Sequence, residues 1–116
     1  MKILIVDDSQ LSRKILGKYI EENGDQALHA KNSQEALQIY QKNQINLVII
    51  DNELPDLQSY TLAQKIRTMR PQESQWIPII FMTSDIEDSL IEKFIESGGD
   101  DYLMKPVSPG TLKAKI

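Results

Sequence analysis

Apolar residues along this chain fall into two alternating textures. Short unbroken runs stand at 3–6 (ILIV), 47–50 (LVII) and 77–82 (IPIIFM). They are too short for helices and rich in β-branched residues, a pattern that predicts parallel strands buried on both faces. A weaker run, ALHA at 27–30, fits a strand nearer a sheet edge, and DYLM at 101–104 makes a fifth. Pro78 sits near the start of its run, where a strand tolerates a residue without an N–H.

Between these runs the apolar period becomes helical. Leu11, Ile15, Leu16, Tyr19 and Ile20 share one face of a first helix that stops at Gly24. A second helix has an Asn32 to Glu35 start signal and carries Leu37 and Tyr40. A third carries Leu62, Ile66 and Met69 and ends before Pro71. A fourth, capped by Asp85, carries Ile86, Leu90, Ile91, Phe94 and Ile95 and stops at the Gly98-Gly99 pair. A fifth starts near Pro109.

Five strands alternating with five helices predict an α/β fold, a doubly wound five-stranded parallel sheet with helices on both faces, because each parallel strand needs a right-handed crossover. The whole of 1–116 reads as one domain. Its last helix is short, as in the front part of a longer protein or a chain trimmed in that helix.

Composition narrows the function classes. With no cysteine there is neither a disulfide framework nor a thiolate metal site, and a reducing cytoplasm suits the chain. The N-terminal apolar run is too short for a signal peptide, and no segment approaches the roughly 20 apolar residues of a membrane span, so we expect a soluble cytoplasmic protein that does not engage membrane. Seventeen acids against thirteen scattered bases leave no phosphate-tracking surface, so direct contact with nucleic acid is not expected.

In an open α/β sheet, ligands bind beyond the carboxyl ends of the strands. Strand one is followed there by Asp7 and Asp8, strand three by Asp51, strand four by Thr83 and Ser84, strand five by Lys105 and Pro106. Carboxylates about 5 Å apart repel by roughly 3 kcal/mol per pair at an effective dielectric near 20, so such a cluster takes up protons or a cation. Carboxylates without His or Cys favour hard cations, Mg²⁺ or Mn²⁺ over the fuller oxygen cage of Ca²⁺. A divalent ion beside a lysine suits phosphoryl transfer, where spreading negative charge must be neutralised. A carboxylate can serve as nucleophile by forming an acyl phosphate. Asp51, central in the sheet and alone on its strand, is the candidate.

The stretches ILIVDDS, LVIIDNELPD, IIFMTS and DDYLMKP, in this order and spacing, resemble a response-regulator receiver domain of two-component signalling over essentially the whole chain. The resemblance implies a flavodoxin-like (βα)5 fold with strand order 2-1-3-4-5. It implies that Asp51 accepts a phosphoryl group from a sensor histidine kinase or phosphotransfer protein, that Asp8 ligates Mg²⁺, that Asp7 holds one of its waters, and that the Glu53 backbone carbonyl adds a ligand. Lys105 would pair with a phosphoryl oxygen, the Thr83 hydroxyl would bond another, and small Ser84 would keep the pocket open. Pro106 would follow a cis peptide. Thr83 and Tyr102 would form the switch, moving the surface of helix four, strand five and helix five toward an output domain or protein, with homodimerisation through that surface as a further implied arrangement. Such a protein catalyses only its own phosphorylation and dephosphorylation. The side chains of Glu53 and Asp85 stand where they could influence the attacking water and the phosphoryl lifetime.

Two departures from the family pattern stand out. Leu57, Gln58 and Ser59 replace the acid and glycine that follow LPD in many receivers, which predicts a changed loop there. The stretch 71–76 (PQESQW) is slightly long for its connection. An aspartate-nucleophile phosphatase of small substrates is the main alternative, but a haloacid-dehalogenase pattern wants its nucleophile on the first strand, an aspartate at the second acid and a cap. A flavin carrier would want a Ser/Thr/Gly phosphate cradle where Asp7 and Asp8 stand. His29 reads as a partly exposed strand residue, Tyr19, Tyr40 and Tyr60 as helix packing, Trp76 as a lid at a strand entrance, Met82 and Met104 as core fillers.

Overall fold

A computed structural model describes residues 1–69, 77–84 and 88–116, and the side chains of all of these except 88 and 89. The Asp85 cap, Ile86, Trp76 and the 71–76 connection lie outside the described residues. The elements alternate without exception: β1 (Lys2–Val6), α1 (Gln10–Glu22), β2 (Gln26–Ala30), α2 (Ser33–Lys42), β3 (Leu47–Asp51), α3 (Ser59–Met69), β4 (Ile79–Thr83), α4 (Asp88–Glu96), β5 (Asp101–Met104) and α5 (Pro109–Lys115). All strand pairs are parallel and the sheet runs β2-β1-β3-β4-β5, as expected.

Alternation within each strand divides the core in two. Leu4, Val6, Val48, Ile50, Ile79 and Phe81 point to a layer shared with α2, α3 and α4. Ile3, Ile5, Leu47, Ile49, Ile80, Met82 and Leu103 point to the opposite layer, shared with α1 and α5. Apart from Lys2, Asp51 and Thr83 at their ends, the inner strands are therefore apolar throughout, which is why their runs were legible as unbroken. Phe81 stacks on Phe94 of α4 with ring centroids 4.0 Å apart. Gly99 makes that contact feasible, since a Cβ there would lie 2.2 Å from Phe81 Cε2.

The helix caps follow from side-chain chemistry. Ser9 caps α1, its Oγ accepting from Ser12 N. Asn32 caps α2 by accepting from Glu35 N, and Glu35 Oε1 accepts in return from Lys31 N. Ser108 caps α5 ahead of Pro109.

Three expectations need correction. The buried row of α1 is Leu16, Gly17 and Ile20, while Leu11 is 69% and Ile15 43% exposed. Gly17 faces β2, where a Cβ would lie 3.0 Å from His29 Cε1; that close approach sets the helix phase and leaves the Leu11, Ile15, Tyr19 row on the flank. β4 begins at Ile79 rather than residue 77, because Pro78 offers no N–H and contributes only its carbonyl, to Val48 N. Met104 is no core filler: on the edge strand β5 only Leu103 is buried, and Met104 is 42% exposed. Met82 and Tyr40 are buried as expected, and His29 is exposed.

Candidate functional site

Strand register assembles the site. Val6 pairs with Ile50 across β1 and β3, so the residues after them, Asp7 and Asp51, emerge side by side. Asp51 in turn pairs with Met82, one residue before Thr83, and Thr83 pairs with Met104, one residue before Lys105. A one-residue slip of any strand would send these side chains to the other face.

The carboxylates of Asp7, Asp8 and Asp51 offer oxygens that all lie within 4.8 Å of one another. Asp7 and Thr83 are fully buried, Asp51 is 4% exposed and Asp8 is exposed, so the cluster opens to solvent on one side only. Lys105 Nζ stands 2.8 Å from Asp51 Oδ1 and 3.5 Å from Asp7 Oδ2. Neither carboxylate oxygen accepts a hydrogen bond in good geometry among the described residues, so the Lys105 contacts are ion contacts rather than aligned bonds. Asp7 is otherwise tightly held: its N–H donates to Ala30 O, its Oδ1 accepts from Ser9 N, and its carbonyl accepts from the Arg13 guanidinium.

Three carboxylates against one ammonium leave an excess of negative charge in a half-buried cleft. Burial pushes the Asp51 carboxyl up to about 6; Lys105 opposes this, and the Asp7 and Asp8 charges add to it. Burial works against the charge on Lys105, but the Asp51 and Asp7 carboxylates outweigh it and hold the ammonium above its ordinary range. Buried carboxylate oxygens without hydrogen-bond donors, gathered from two adjacent strands, fit a hard divalent cation by the chemistry of the donor set.

The remaining predicted residues fall around this cluster. Thr83 ends β4, and its carbonyl accepts from Lys105 N. The Lys105-Pro106 peptide is cis. Ser84 is exposed and, with Lys105, Pro106, Val107 and the Leu11, Ile15, Tyr19 row, lines an open groove of about 590 Å³. Glu53 is exposed on the loop after Asp51, and Tyr102 is 36% exposed on β5, where it lines a shallow cavity of about 140 Å³ with Ile91 and Ile95 of α4. Asp85 lies outside the described residues.

Sequence reasoning missed Asp56 in the LPD stretch. Its Oδ1 accepts from Ser33 N and Leu57 N, and its Oδ2 from Gln34 N, so the loop after β3 is tied to the first turn of α2. The signal that could have exposed it was the missing acid and glycine just downstream: some other device had to fix that loop. No residue other than glycine adopts a positive φ in the described chain, so the loop turns without strain.

A doubly wound sheet with an acidic cleft at the carboxyl ends of β1 and β3 is the arrangement of a phosphoacceptor module. The family model for the response regulator receiver domain matches residues 3–116, and the chain belongs to that family. It is 38% identical over 117 residues to the probable transcriptional regulator ycf27 of Porphyridium aerugineum, an alignment covering 99% of this chain and 46% of that protein. Among solved structures, a two-component response regulator from Clostridium difficile superposes with a TM-score of 0.91 at 36% identity, covering 99% of this chain and 91% of that one. The receiver domain of Saccharomyces cerevisiae Ssk1, crystallised with the histidine phosphotransfer protein Ypd1, matches with a TM-score of 0.91 at 31% identity over 100% of this chain and 86% of that one. The chain spans about half the length of the curated relatives it matches, 46% in each case. The expected fold, family and role as a receiver of two-component signalling are all borne out.

Proposed function

We propose that Asp51 is the phosphoryl acceptor and that the carboxyl-end cleft is built to phosphorylate and dephosphorylate this one residue. The observation that carries the reading is the Asp51 carboxylate at the end of the central strand, 2.8 Å from Lys105 and within a 4.8 Å cluster with Asp7 and Asp8. An Asp51 oxygen attacks phosphorus, the new O–P bond forms as the donor's bond to phosphorus breaks, and the leaving group keeps the electron pair and takes up a proton. Water later attacks the acyl phosphate and returns the carboxylate with inorganic phosphate.

Asp8 and Asp51, with the Glu53 carbonyl and a water held by Asp7, would hold Mg²⁺, or Mn²⁺ in its place. When bound, the ion supplies the charge that offsets the carboxylate repulsion and the negative charge on the transferring group. Lys105, now against Asp51, exchanges that partner for a phosphoryl oxygen. Thr83 donates its hydroxyl to another, and Ser84 is small enough to leave the approach open.

Output follows from differential binding: the added charge favours the conformer in which Thr83 and Tyr102 have moved, and the α4, β5, α5 surface changes with them. Tyr102 and Ile95 are exposed on that surface, which suits its use by an output domain or protein or by a second copy of the chain. The donor is a sensor histidine kinase or phosphotransfer protein, and the apolar flank of α1 beside Lys105 offers it a surface. Seventeen acids against thirteen scattered bases do not suit this segment to direct contact with nucleic acid. The working compartment is the cytoplasm; among the described residues no helix is long and apolar enough to cross a membrane.

Incubation with Mg²⁺ and acetyl phosphate, read by intact mass, tests the reading. One phosphoryl group per chain, absent from Asp51→Asn, is expected. Phosphorylation that survives Asp51→Asn would overturn it, and repeated turnover of sugar phosphates would favour a phosphatase.

A further inference from the structure

The loop after the acceptor strand is fastened at both ends. At its start, Asn52 N donates to Met82 O at 2.9 Å, which locks the residue after Asp51 onto β4. At its end, the Asp56 carboxylate accepts from Ser33 N at 3.0 Å and Gln34 N at 3.2 Å, the first amides of α2. Leu54 between them packs on the α2, α3, α4 side of the core. Glu53 thus lies on a span of five residues whose two ends are pinned to different elements.

The far anchor is shared with the other half of the cleft. Asp7 N donates to Ala30 O at 3.0 Å, and Ala30 leads directly into the α2 amides that hold Asp56. One short connection, 30–34, therefore fixes Asp7 through its carbonyl and the acceptor loop through its amides. Asn32 accepts from Glu35 N at 2.8 Å, and Asp56 takes up the two first-turn amides that this cap leaves over. The Ser33 and Gln34 amides outweigh the burial that opposes charge on Asp56 and hold its carboxyl below the usual range. The same carboxylate therefore closes the start of α2 and joins the two halves of the acid cleft.

Resting on the receiver reading above, we infer that Asp56 is a positioning residue: it clamps the acceptor loop to α2 and so presets the spacing of the oxygens that take the divalent ion.

The test uses the whole chain and magnesium chloride. Calorimetric titration and thermal unfolding are measured for the wild type, Asp56→Ala, Asp56→Asn and Arg67→Ala, the last at the opposite edge of the sheet, where Arg67 holds Gly98 O and Asp100. Ala and Asn remove the same charge, but Ala removes both arms of the clamp, whereas asparagine keeps one accepting oxygen for Ser33 N and turns its NH2 toward Gln34 N. Asp56→Ala should weaken Mg²⁺ binding about tenfold, in line with loss of an outer-shell support. Asp56→Asn, which keeps one arm of the clamp, should fall between the wild type and Asp56→Ala. Arg67→Ala should lower the melting temperature and leave Mg²⁺ affinity unchanged. The slow phosphorylation of Asp56→Ala by acetyl phosphate should recover when Mg²⁺ is raised in proportion. Unchanged affinity in Asp56→Ala, or Asp56→Asn as weak as Asp56→Ala, would overturn the inference while leaving the receiver reading intact. A wild type that takes up no Mg²⁺ would overturn both.

Discussion

The two edges of the sheet handle charge in opposite ways. At the amino-end edge, Arg67 of α3 donates to Gly98 O at 3.0 and 2.7 Å, to Ile77 O, and to Asp100 Oδ2 at 2.6 Å, while the same Asp100 oxygen accepts from Ile79 N at 2.8 Å. One cation and one anion there are matched and engaged with backbone groups. At the carboxyl-end edge, three carboxylates face one ammonium, and two buried carboxylate oxygens lack a hydrogen bond. A matched pair holds α3 to the start of β4 and the α4–β5 turn; an unmatched cluster stores repulsion that only a cation, a proton or a phosphoryl group's chemistry relieves. Charge balance and burial together separate the two edges: Asp100 is exposed beside its partner, whereas Asp7 and Asp51 are buried among like charges.

That contrast can be broken in four ways. The largest effect should come from Asp51→Asn, which removes the acceptor and should abolish phosphoryl uptake by intact mass, whereas Arg67→Ala should leave it intact. Next, Arg67→Ala should lower the unfolding free energy by about 2–3 kcal/mol, by leaving Asp100 and the Gly98 and Ile77 carbonyls without their donor. Denaturant titration checks this, with Mg²⁺ affinity unchanged.

The third effect has the opposite sign. An acid whose folded-state value is raised, as for Asp51 at about 6, binds its proton more readily when folded than when unfolded. Its cost to stability is absent below about pH 4, grows between pH 4 and 6 and is complete above. Without divalent ions, Asp51→Asn should therefore be more stable than the wild type at pH 7, by up to about 3 kcal/mol, and equal to it near pH 3.5. Urea titrations across that range decide it. The smallest effect should be Glu53→Ala, which should lengthen the phosphoryl lifetime by less than about tenfold, short of what a full general base contributes. An unchanged lifetime would remove Glu53 from the account.

Much of this was readable from residue order. The inner strands β1, β3 and β4 are buried on both faces, so their apolar runs marked them, and the residues just past their ends named Asp7, Asp51 and Thr83. Register then brings those positions together because the strands are parallel. What periodicity misread depended on tertiary approach: Gly17 lets α1 sit against His29, which turns Leu11 and Ile15 outward. Edge position exposed Met104, which composition alone made a core residue. Asp56 and the Arg67–Asp100 pair were invisible because each joins residues more than twenty positions apart through backbone amides or carbonyls, and such partners leave no mark in side-chain spacing.

The central claim is that, among the described residues, the cleft holds more negative than positive charge until a divalent ion enters. Thermal unfolding at pH 7, with and without millimolar Mg²⁺, tests it most directly, because a ligand bound only by the folded state raises the melting temperature by mass action. The wild type should gain stability with Mg²⁺ and Asp51→Asn should gain far less, so the advantage of the variant in metal-free buffer narrows. A wild-type melting temperature indifferent to Mg²⁺, or an equal rise in both proteins, would contradict the account.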